Sequence, residues 1–386
     1  MTVKKKKKNQ KMYSKIAMVI IFLVGSLIML YPFYIDALNN YLDQVRVTRY
    51  QKQQKEAYEA QQLQRSAENK KLAKTGFNPG ADPFEAEAIA EHISPEVYEE
   101  HLIGTVNIPK LAVEMPLFDV TTASFLNIGA TVLQGTSFPV GGLGTHAVIT
   151  GHRGLPEREL FTNLPKLGLG DLFLLTVLGE TLAYEVDTIE TVEPHETSSL
   201  KIDLEKDLVT LVTCTPYMIN SHRLLVTGHR VPYTPAVEKL VEKGNQTRYL
   251  KQISILVGTF LIITGSITML VRILLLERLK RTSFDLKIKL QNEKGAALQE
   301  QVQLFDRKGK KPLMRDGQPL IVTPNEQGVV EFSQLPGGLY QLYFISRKQK
   351  IKAGIKKKNQ APKIYATKFM KETKGKDLVV VLASDN

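Results

Sequence analysis

Leu208-Val209-Thr210-Leu211-Val212-Thr213-Cys214-Thr215-Pro216-Tyr217-Met218-Ile219-Asn220-Ser221-His222-Arg223-Leu224-Leu225-Val226 is the stretch on which the reading of this chain turns. Val209, Leu211 and Thr213 alternate with Thr210, Val212 and Cys214, the period of two that a β-strand imposes on its faces. Thr215 to Ser221, with Pro216 and Asn220, has the composition of a loop, and Arg223-Leu224-Leu225-Val226 is then a returning strand. Such a hairpin brings a guanidinium close to a thiol at the strand's end, on the face opposite Thr213. Cys214 is the one cysteine in 386 residues. With no partner for an internal disulfide, it is either inert packing or chemistry.

The β texture extends outward from this hairpin. From Ile103 to about Pro232 the sequence consists of short apolar runs separated by Gly, Pro and Asn, among them 145–150, 172–177, 181–186 and 208–213, as expected of an all-β domain. Its length suffices for one barrel or sandwich with its own core. Upstream, 37 to about 75 is rich in Gln, Ala, Glu, Lys and Arg with hardly a Gly or Pro, which suits an exposed helix; Gly76, Pro79 and Gly80 stop it. Downstream, Phe284 to Leu290 alternates, a polar turn follows at 292–295, and Gly328-Val329-Val330-Glu331-Phe332 leads into Leu335-Pro336-Gly337-Gly338-Leu339-Tyr340. A small C-terminal β-sandwich is expected there.

Two apolar islands interrupt this pattern. Ile16 to Ile35 is a run of 20 residues and Ile253 to Val271 a run of 19, neither holding a charge. Each is about long enough to cross roughly 30 Å of hydrocarbon as a helix. The first follows a basic start, as a signal peptide does, but it exceeds a typical signal core of roughly 7 to 15 residues and no A-x-A-like site follows. It is therefore read as a retained anchor. Charge then orients the chain: residues 1–15 carry seven lysines and no acid, residues 36–252 carry 20 basic and 28 acidic side chains, and residues 277–386 carry 23 basic and 11 acidic. Basic flanks stay in the cytoplasm, which predicts both termini inside and the acidic middle outside. The formal charge of +12 thus implies anionic lipid rather than nucleic acid as the partner of the basic ends.

A thiol with an ordinary pKa near 8.5 is largely un-ionised at neutral pH, so a nucleophilic cysteine needs a proton partner. Of seven histidines, His152 stands out, because Ile149-Thr150-Gly151-His152-Arg153-Gly154 ends an apolar strand in a glycine-flanked turn where backbone can approach a substrate. A solvated loop histidine has the same appearance. His222, beside Arg223, competes with it, whereas His92, His101, His146, His195 and His229 have no such setting. No cluster of His, Cys and carboxylates has ligand spacing, so no metal or other cofactor is expected.

Thr210-Leu211-Val212-Thr213-Cys214 ending a strand, followed by Arg223 and preceded by the Thr150-Gly151-His152 turn, resembles the sortase family of Gram-positive cell-surface transpeptidases. The resemblance runs through most of residues 76 to 233, including Gly104-Thr105-Val106-Asn107-Ile108-Pro109 and Gly135-Thr136-Ser137. Asp82-Pro83-Phe84 is similar to the lid of class C sortases, which polymerise pilins and usually carry a carboxyl-terminal membrane span; taken alone, it is an ordinary turn. Val132 stands where a histidine often occurs in that class, a position that is not catalytic. The phrase at 328–340 resembles collagen-binding B-type and related prealbumin-like modules.

The resemblance implies a closed sortase-type β-barrel in a mainly β chain. It also implies a membrane-anchored cysteine transpeptidase that cleaves a Leu-Pro-x-Thr-Gly-like signal between Thr and Gly and transfers it to a pilin lysine. Cys214 would be the nucleophile, His152 the proton carrier and Arg223 the oxyanion or substrate ligand, with Asp82 pairing with Arg223 and Phe84 covering Cys214. The organisation expected is a basic start (1–15), a membrane helix (16–35), a helical stalk (36–75), a lid segment (76–102), the catalytic barrel (103–233), a juxtamembrane linker (234–252), a second membrane helix (253–271) and a basic tail (272–386) holding the β-sandwich (284–386). Two other readings stand beside it: a sortase that anchors proteins to cell-wall precursor, and a non-enzymatic membrane scaffold.

Overall fold

Strands β1 (Leu102–Ile108), β2 (Val113–Phe118), β3 (Ala130–Val132), β4 (Thr145–Thr150), β5 (Leu172–Val177), β6 (Glu180–Val192), β7 (Asp207–Thr215) and β8 (His222–Val231) close into a barrel in the order β1-β2-β3-β4-β7-β8-β6-β5. The computed structural model describes residues 2–54, 58–76, 82–84, 91–365 and 378–382. Five α-helices are described: α1 (Thr2–Gln54), α2 (Tyr58–Thr75), α3 (Pro95–His101), α4 (Ala123–Leu126) and α5 (Pro235–Lys280). The chain divides into two compact units, Val24–Ile262 and Met1–Leu23 with Ile263–Asn386.

Alternation along the strands fills the barrel. Val209, Leu211, Leu224 and Val226 of β7 and β8 point inward to join Val106, Ile108, Leu117, Ile149, Phe173 and Tyr184 in one buried cluster. The intervening residues Val212 and Leu225 lie on the outer face and pack with Leu133, Val148 and Leu200. Most strand pairs are antiparallel, but β4 runs parallel to β7, with Thr150 beside Val212. The chain leaving β4 therefore emerges next to the end of β7.

The barrel is tight enough to dictate glycine at one crossing. A Cβ on Gly104 of β1 would lie 1.9 Å from the carbonyl oxygen of Thr176 on β5, where backbone rather than a flexible side chain would have to yield.

Helices dock around the barrel through identifiable contacts. Asn69 of α2 makes a reciprocal pair with the Phe138 backbone, its amide donating to the carbonyl and its oxygen accepting from the N–H, both at 2.8 Å. Ser94 caps α3, accepting from the Val97 N–H at 3.4 Å, with Pro95 at the first helical position, a residue that needs no N–H there. The stretch 234–252, expected as a linker, is the first part of α5. Val237 packs on Leu174 and Ala183, and Gly244 approaches the backbone of Pro109 so closely that a Cβ would lie 2.8 Å from it.

Helices α1 and α5 are each long and apolar enough to cross a membrane. Ile21, Phe22, Ile28 and Met29 of α1 and Ile267, Met269 and Leu275 of α5 are exposed, an arrangement that water disfavours and hydrocarbon does not.

The C-terminal strands are β9 (Ser283–Asn292), β10 (Val302–Phe305), β11 (Met314–Arg315), β12 (Gln318–Pro319), β13 (Ile321–Val322), β14 (Val329–Pro336), β15 (Leu339–Phe344), β16 (Gln349–Gly354), β17 (Lys363–Tyr365) and β18 (Leu378–Leu382). They form sheets β14-β9-β18 and β13-β10-β15-β16-β17, with β11-β12 as a separate ribbon. Leu286, Ile288 and Phe332 of the first sheet share one core with Leu304, Leu342 and Phe344 of the second. This is the sandwich that the alternation at 284–290 called for.

Replacing Gly104 by alanine is expected to destabilise the barrel by about 3 kcal/mol, the upper range of overpacking costs, measured as a lowered denaturation midpoint; an unchanged midpoint would show that β1 and β5 have slack there.

Candidate active site

Cys214 and Arg223 are direct partners across the β7–β8 pair, and directly opposed residues of an antiparallel pair share a face. That face is the outer one, yet the thiol is only 5% exposed. The Thr213 hydroxyl, on the opposite face, donates to the Gly151 carbonyl at 2.7 Å, and the Gly151 N–H donates to the Val212 carbonyl at 3.1 Å. These two bonds fasten the turn carrying His152 to the end of β7. A third, from the Phe161 N–H to the His152 carbonyl at 3.1 Å, fixes its far side. A Cβ on Gly151 would fall 2.7 Å from the Phe161 ring, so glycine lets this turn lie flat on the buried phenylalanine.

The cover over this edge comes from Asp82, Pro83 and Phe84. The Asp82 Oδ1 accepts the Phe84 N–H at 3.2 Å, closing a tight turn. Its Oδ2 accepts from Arg223 Nε at 3.0 Å and from Arg223 Nη2. Both side chains are 7% exposed. Arg223 Nη1 donates to the carbonyls of Asn220 and His222 at 2.8 and 3.0 Å, so the guanidinium is held by the loop as well as by the carboxylate. The Phe84 ring lies 5.2 Å from the Arg223 guanidinium and 5.6 Å from the His152 ring, centre to centre. It packs with Val192 on the outer apolar patch of Leu133, Val148, Val212 and Leu225. The residues between 76 and 91 that flank this turn on either side lie outside the described residues, apart from 76 and 91 themselves.

Electrostatics follow from the cover. Burial pushes the Cys214 thiol above its ordinary value; Arg223 pulls it down, Asp82 pushes it up again, and Arg153 adds a smaller downward pull. Burial also depresses the pKa of His152. Both shifts favour the neutral forms, thiol and imidazole.

The other histidines are placed differently. His146 is buried, with Nδ1 at 2.9 Å from the Lys201 carbonyl and Nε2 at 2.7 Å from the Thr210 hydroxyl, a satisfied core histidine. The His222 Nδ1 lies 2.8 Å from its neighbour Ser221 Oγ, and His222 pairs with Thr215 rather than with the thiol. Among the described residues no group of three or more His, Cys and carboxylate side chains is placed to hold a metal.

Sequence reasoning missed Arg153. Its Nη1 donates to the Cys214 carbonyl at 3.4 Å and to the Thr215 hydroxyl at 3.1 Å, and its guanidinium lies 5.6 Å from the Tyr217 ring centre. The signal was present, a cation immediately after the candidate imidazole, but its direction depends on the turn geometry. The apolar patch was missed too, because its members come from four separate strands and loops.

Residues 106–231 match the family model described as the Sortase domain. The barrel, with a thiol and a guanidinium opposed at one edge, is therefore a sortase domain, and the chain is an enzyme of the cysteine transpeptidase type. Sortase A of Bacillus anthracis is 27% identical over 223 residues, spanning 58% of this chain and 96% of the relative. The structure of Sortase C1 of GBS Pilus Island 1 is 37% identical, with 50% of this chain and 94% of that chain covered at a TM-score of 0.43. Sortase C of Streptococcus pneumoniae is 45% identical, with 46% and 91% covered at a TM-score of 0.39.

Removing either half of the cover is expected to expose the thiol. In Asp82→Ala a carboxylate that raises the thiol pKa is gone, and in Phe84→Ala the ring beside Arg223 and His152 is gone. A lower thiol pKa or a better-solvated sulfur raises the reactive thiolate fraction, so iodoacetamide should alkylate Cys214 faster at pH 7 in either variant. The rate-against-pH curve should move to lower pH; coincident curves for wild type and both variants would show that 82–84 does not gate the site.

Proposed function

We propose that this chain is a class C, pilus-assembling sortase, anchored by two membrane helices with the barrel outside the cell and both termini in the cytoplasm. The observation that carries this reading is the buried Asp82–Arg223 pair with the Phe84 ring 5.2 Å from the guanidinium and 5.6 Å from the His152 ring. A cover of this kind occupies the anion-binding group of the site until something displaces it. The two apolar helices support the anchoring, and the lysines of 1–15 together with the basic excess of 277–386 support the orientation. The C-terminal sandwich, whose sequence resembles prealbumin-like modules, is then a cytoplasmic accessory domain.

The chemistry follows from the three side chains. A pilin's Leu-Pro-x-Thr-Gly-like signal displaces Phe84 from the apolar patch, and its threonine carbonyl replaces Asp82 at Arg223. Loss of the Asp82 carboxylate from the thiol's surroundings lowers the cost of the thiolate, and His152 accepts the proton. Cys214 Sγ adds to the carbonyl carbon while Arg223 donates charge-assisted hydrogen bonds to the oxygen as it becomes negative. The C–N bond to glycine breaks, the glycine nitrogen takes the proton from His152, and a thioester remains. A lysine amine of the next pilin then attacks the same carbon, surrendering a proton to His152, and the sulfur leaves to take it back. Water has to lose that last step, and a site that opens only to a docked partner excludes it.

Membrane tethering of enzyme and substrate raises their effective concentration without any added contact. No nucleic acid enters this reading; the partners are pilins and the lipid bilayer.

Expressed in its own host, the wild-type chain should yield a ladder of covalent pilin polymers stable to boiling in detergent, and Cys214→Ala should abolish it. A single wall-linked product in place of the ladder would favour the wall-anchoring alternative, and a ladder that survives Cys214→Ala would overturn the enzyme reading. A reporter fused after Asn386 should be cytoplasmic; its export would overturn the topology.

A further inference from the structure

The loop that follows His152 is gripped by the two long helices at the points where they leave their apolar stretches. From α1, the Asp36 Oδ1 accepts the backbone N–H of Glu159 at 2.8 Å, Asn39 Nδ2 donates to the Glu157 carbonyl at 3.1 Å, and Asp43 forms a buried ion pair with Arg158. From α5, Lys251 Nζ donates to Glu159 Oε2 at 2.7 Å. Asp36, Asn39 and Asp43 recur at helical spacing and so present one face of α1 to this loop. Three consecutive loop residues, 157 to 159, receive all four contacts.

Those three residues lead directly to the imidazole. The Glu159 carbonyl accepts the Thr162 N–H at 2.8 Å, the Thr162 hydroxyl accepts the Gly154 N–H at 3.0 Å, and the Phe161 N–H holds the His152 carbonyl at 3.1 Å. Leu160, between them, has a positive φ of 35°, a backbone conformation that a branched residue adopts only when its surroundings hold it. Phe161 is fully buried and supports Gly151 from below. The segment 152–163 is thus fastened at its start to β7 and at its middle to the helices.

We infer that Asp36 and Asp43 are positioning residues for His152: the ends of the two helices nearest the barrel set the geometry of the proton-transferring loop. The inference rests on the role assigned to His152 above. It gives the membrane helices a part in turnover beyond tethering, because a barrel cut free of residues 24–50 and 235–262 keeps its thiol but loses the external hold on its imidazole loop. Displacement of a reacting group by about 1 Å is enough to cost roughly 10- to 100-fold in rate.

The experiment uses the full chain in detergent micelles, with hydrogen exchange across 152–163 and turnover of a fluorogenic peptide containing Leu-Pro-Glu-Thr-Gly as its two readouts. In Asp36→Ala, exchange of the Glu159 and Phe161 amides should accelerate and kcat should fall about tenfold, with KM and the melting temperature of the barrel unchanged. Asp36→Asn, which keeps an acceptor oxygen for the Glu159 amide, should behave as wild type in both readouts, and Asp43→Ala should repeat the faster exchange and lower kcat of Asp36→Ala, with a lowered melting temperature in addition because Arg158 is left buried without its partner. The inference is overturned if both alanine variants leave exchange and kcat unchanged, if the loss falls on KM or on barrel stability alone, or if Asp36→Asn fails to restore. A wild-type chain that leaves the peptide intact counts against the transpeptidase reading and not against the clamp, which the exchange rates alone then uphold or overturn.

Discussion

The pairing of Cys214 with Arg223 across β7 and β8 is the constraint around which the rest of the site is arranged. A strand pair fixes the separation of opposed Cβ atoms to within about 1 Å, whereas a loop does not. Thiol and guanidinium are thereby built into the barrel wall, supported from inside by Leu211, Leu224 and Val226. The parallel pairing of β4 with β7 adds the next element, since it sends the chain beyond Thr150 out at the same edge. His152 follows as a consequence of topology, two residues past the strand end.

The cover obeys a different energetic logic. Removing two charges from water is expensive, and the attraction between Asp82 and Arg223 repays that cost only in part, so a buried pair of this kind contributes little net stability. Breaking it by removing one partner is another matter, costing about 3–5 kcal/mol because a bare charge is left behind. Arg223 therefore resists simple opening but accepts exchange, in which another oxygen takes the place of the carboxylate. A carbonyl oxygen acquiring negative charge is the ligand best suited to that exchange. On the proposed mechanism, the same pair that blocks the site selects for the species whose formation defines the reaction. On that mechanism Phe84 contributes the apolar half, giving up its packing on the outer patch to an incoming apolar side chain.

Much of this was legible in the sequence wherever a local pattern carries the information. The period-two alternation at 208–214 and the loop composition at 215–221 gave the hairpin, and the hairpin gave the opposition of Cys214 and Arg223. The run at 145–150 gave β4, and alternation at 284–290 gave the second sheet system. What local pattern cannot carry is which strands neighbour one another when they are distant in sequence. The outer patch of Leu133, Val192, Leu200, Val212 and Leu225 exists only because the end of β3 and strands β4, β7, β8 and β6 are neighbours in the barrel, and no spacing rule collects those residues. Arg153 escaped for a related reason: its guanidinium reaches Cys214 and Thr215 through a turn whose course is set by Thr213 and Phe161. The stretch 234–252 read as a linker because its charges hide an amphipathic contact with Leu174, Ala183 and Pro109 that only the fold supplies.

The working groups of the site are therefore held by three parts of the chain with three different stiffnesses. Cys214 and Arg223 belong to the barrel wall, whose strands are hydrogen-bonded on both sides and open only with the domain. Asp82, Pro83 and Phe84 form a short turn held to the barrel by the ion pair with Arg223 and by the packing of the Phe84 ring, and in the proposed mechanism they are the part that leaves. His152 lies between these extremes, on a loop that would be mobile by composition but is tied to β7 through Gly151 and Thr213. A transpeptidase needs this ordering. On the proposed mechanism Cys214 and Arg223 keep their separation through two successive attacks on one carbon, while His152 faces first a leaving amine and then an attacking one. A rigid wall satisfies the first requirement, and the second is met by an imidazole whose backbone is fixed and whose ring has only its own two torsions to adjust.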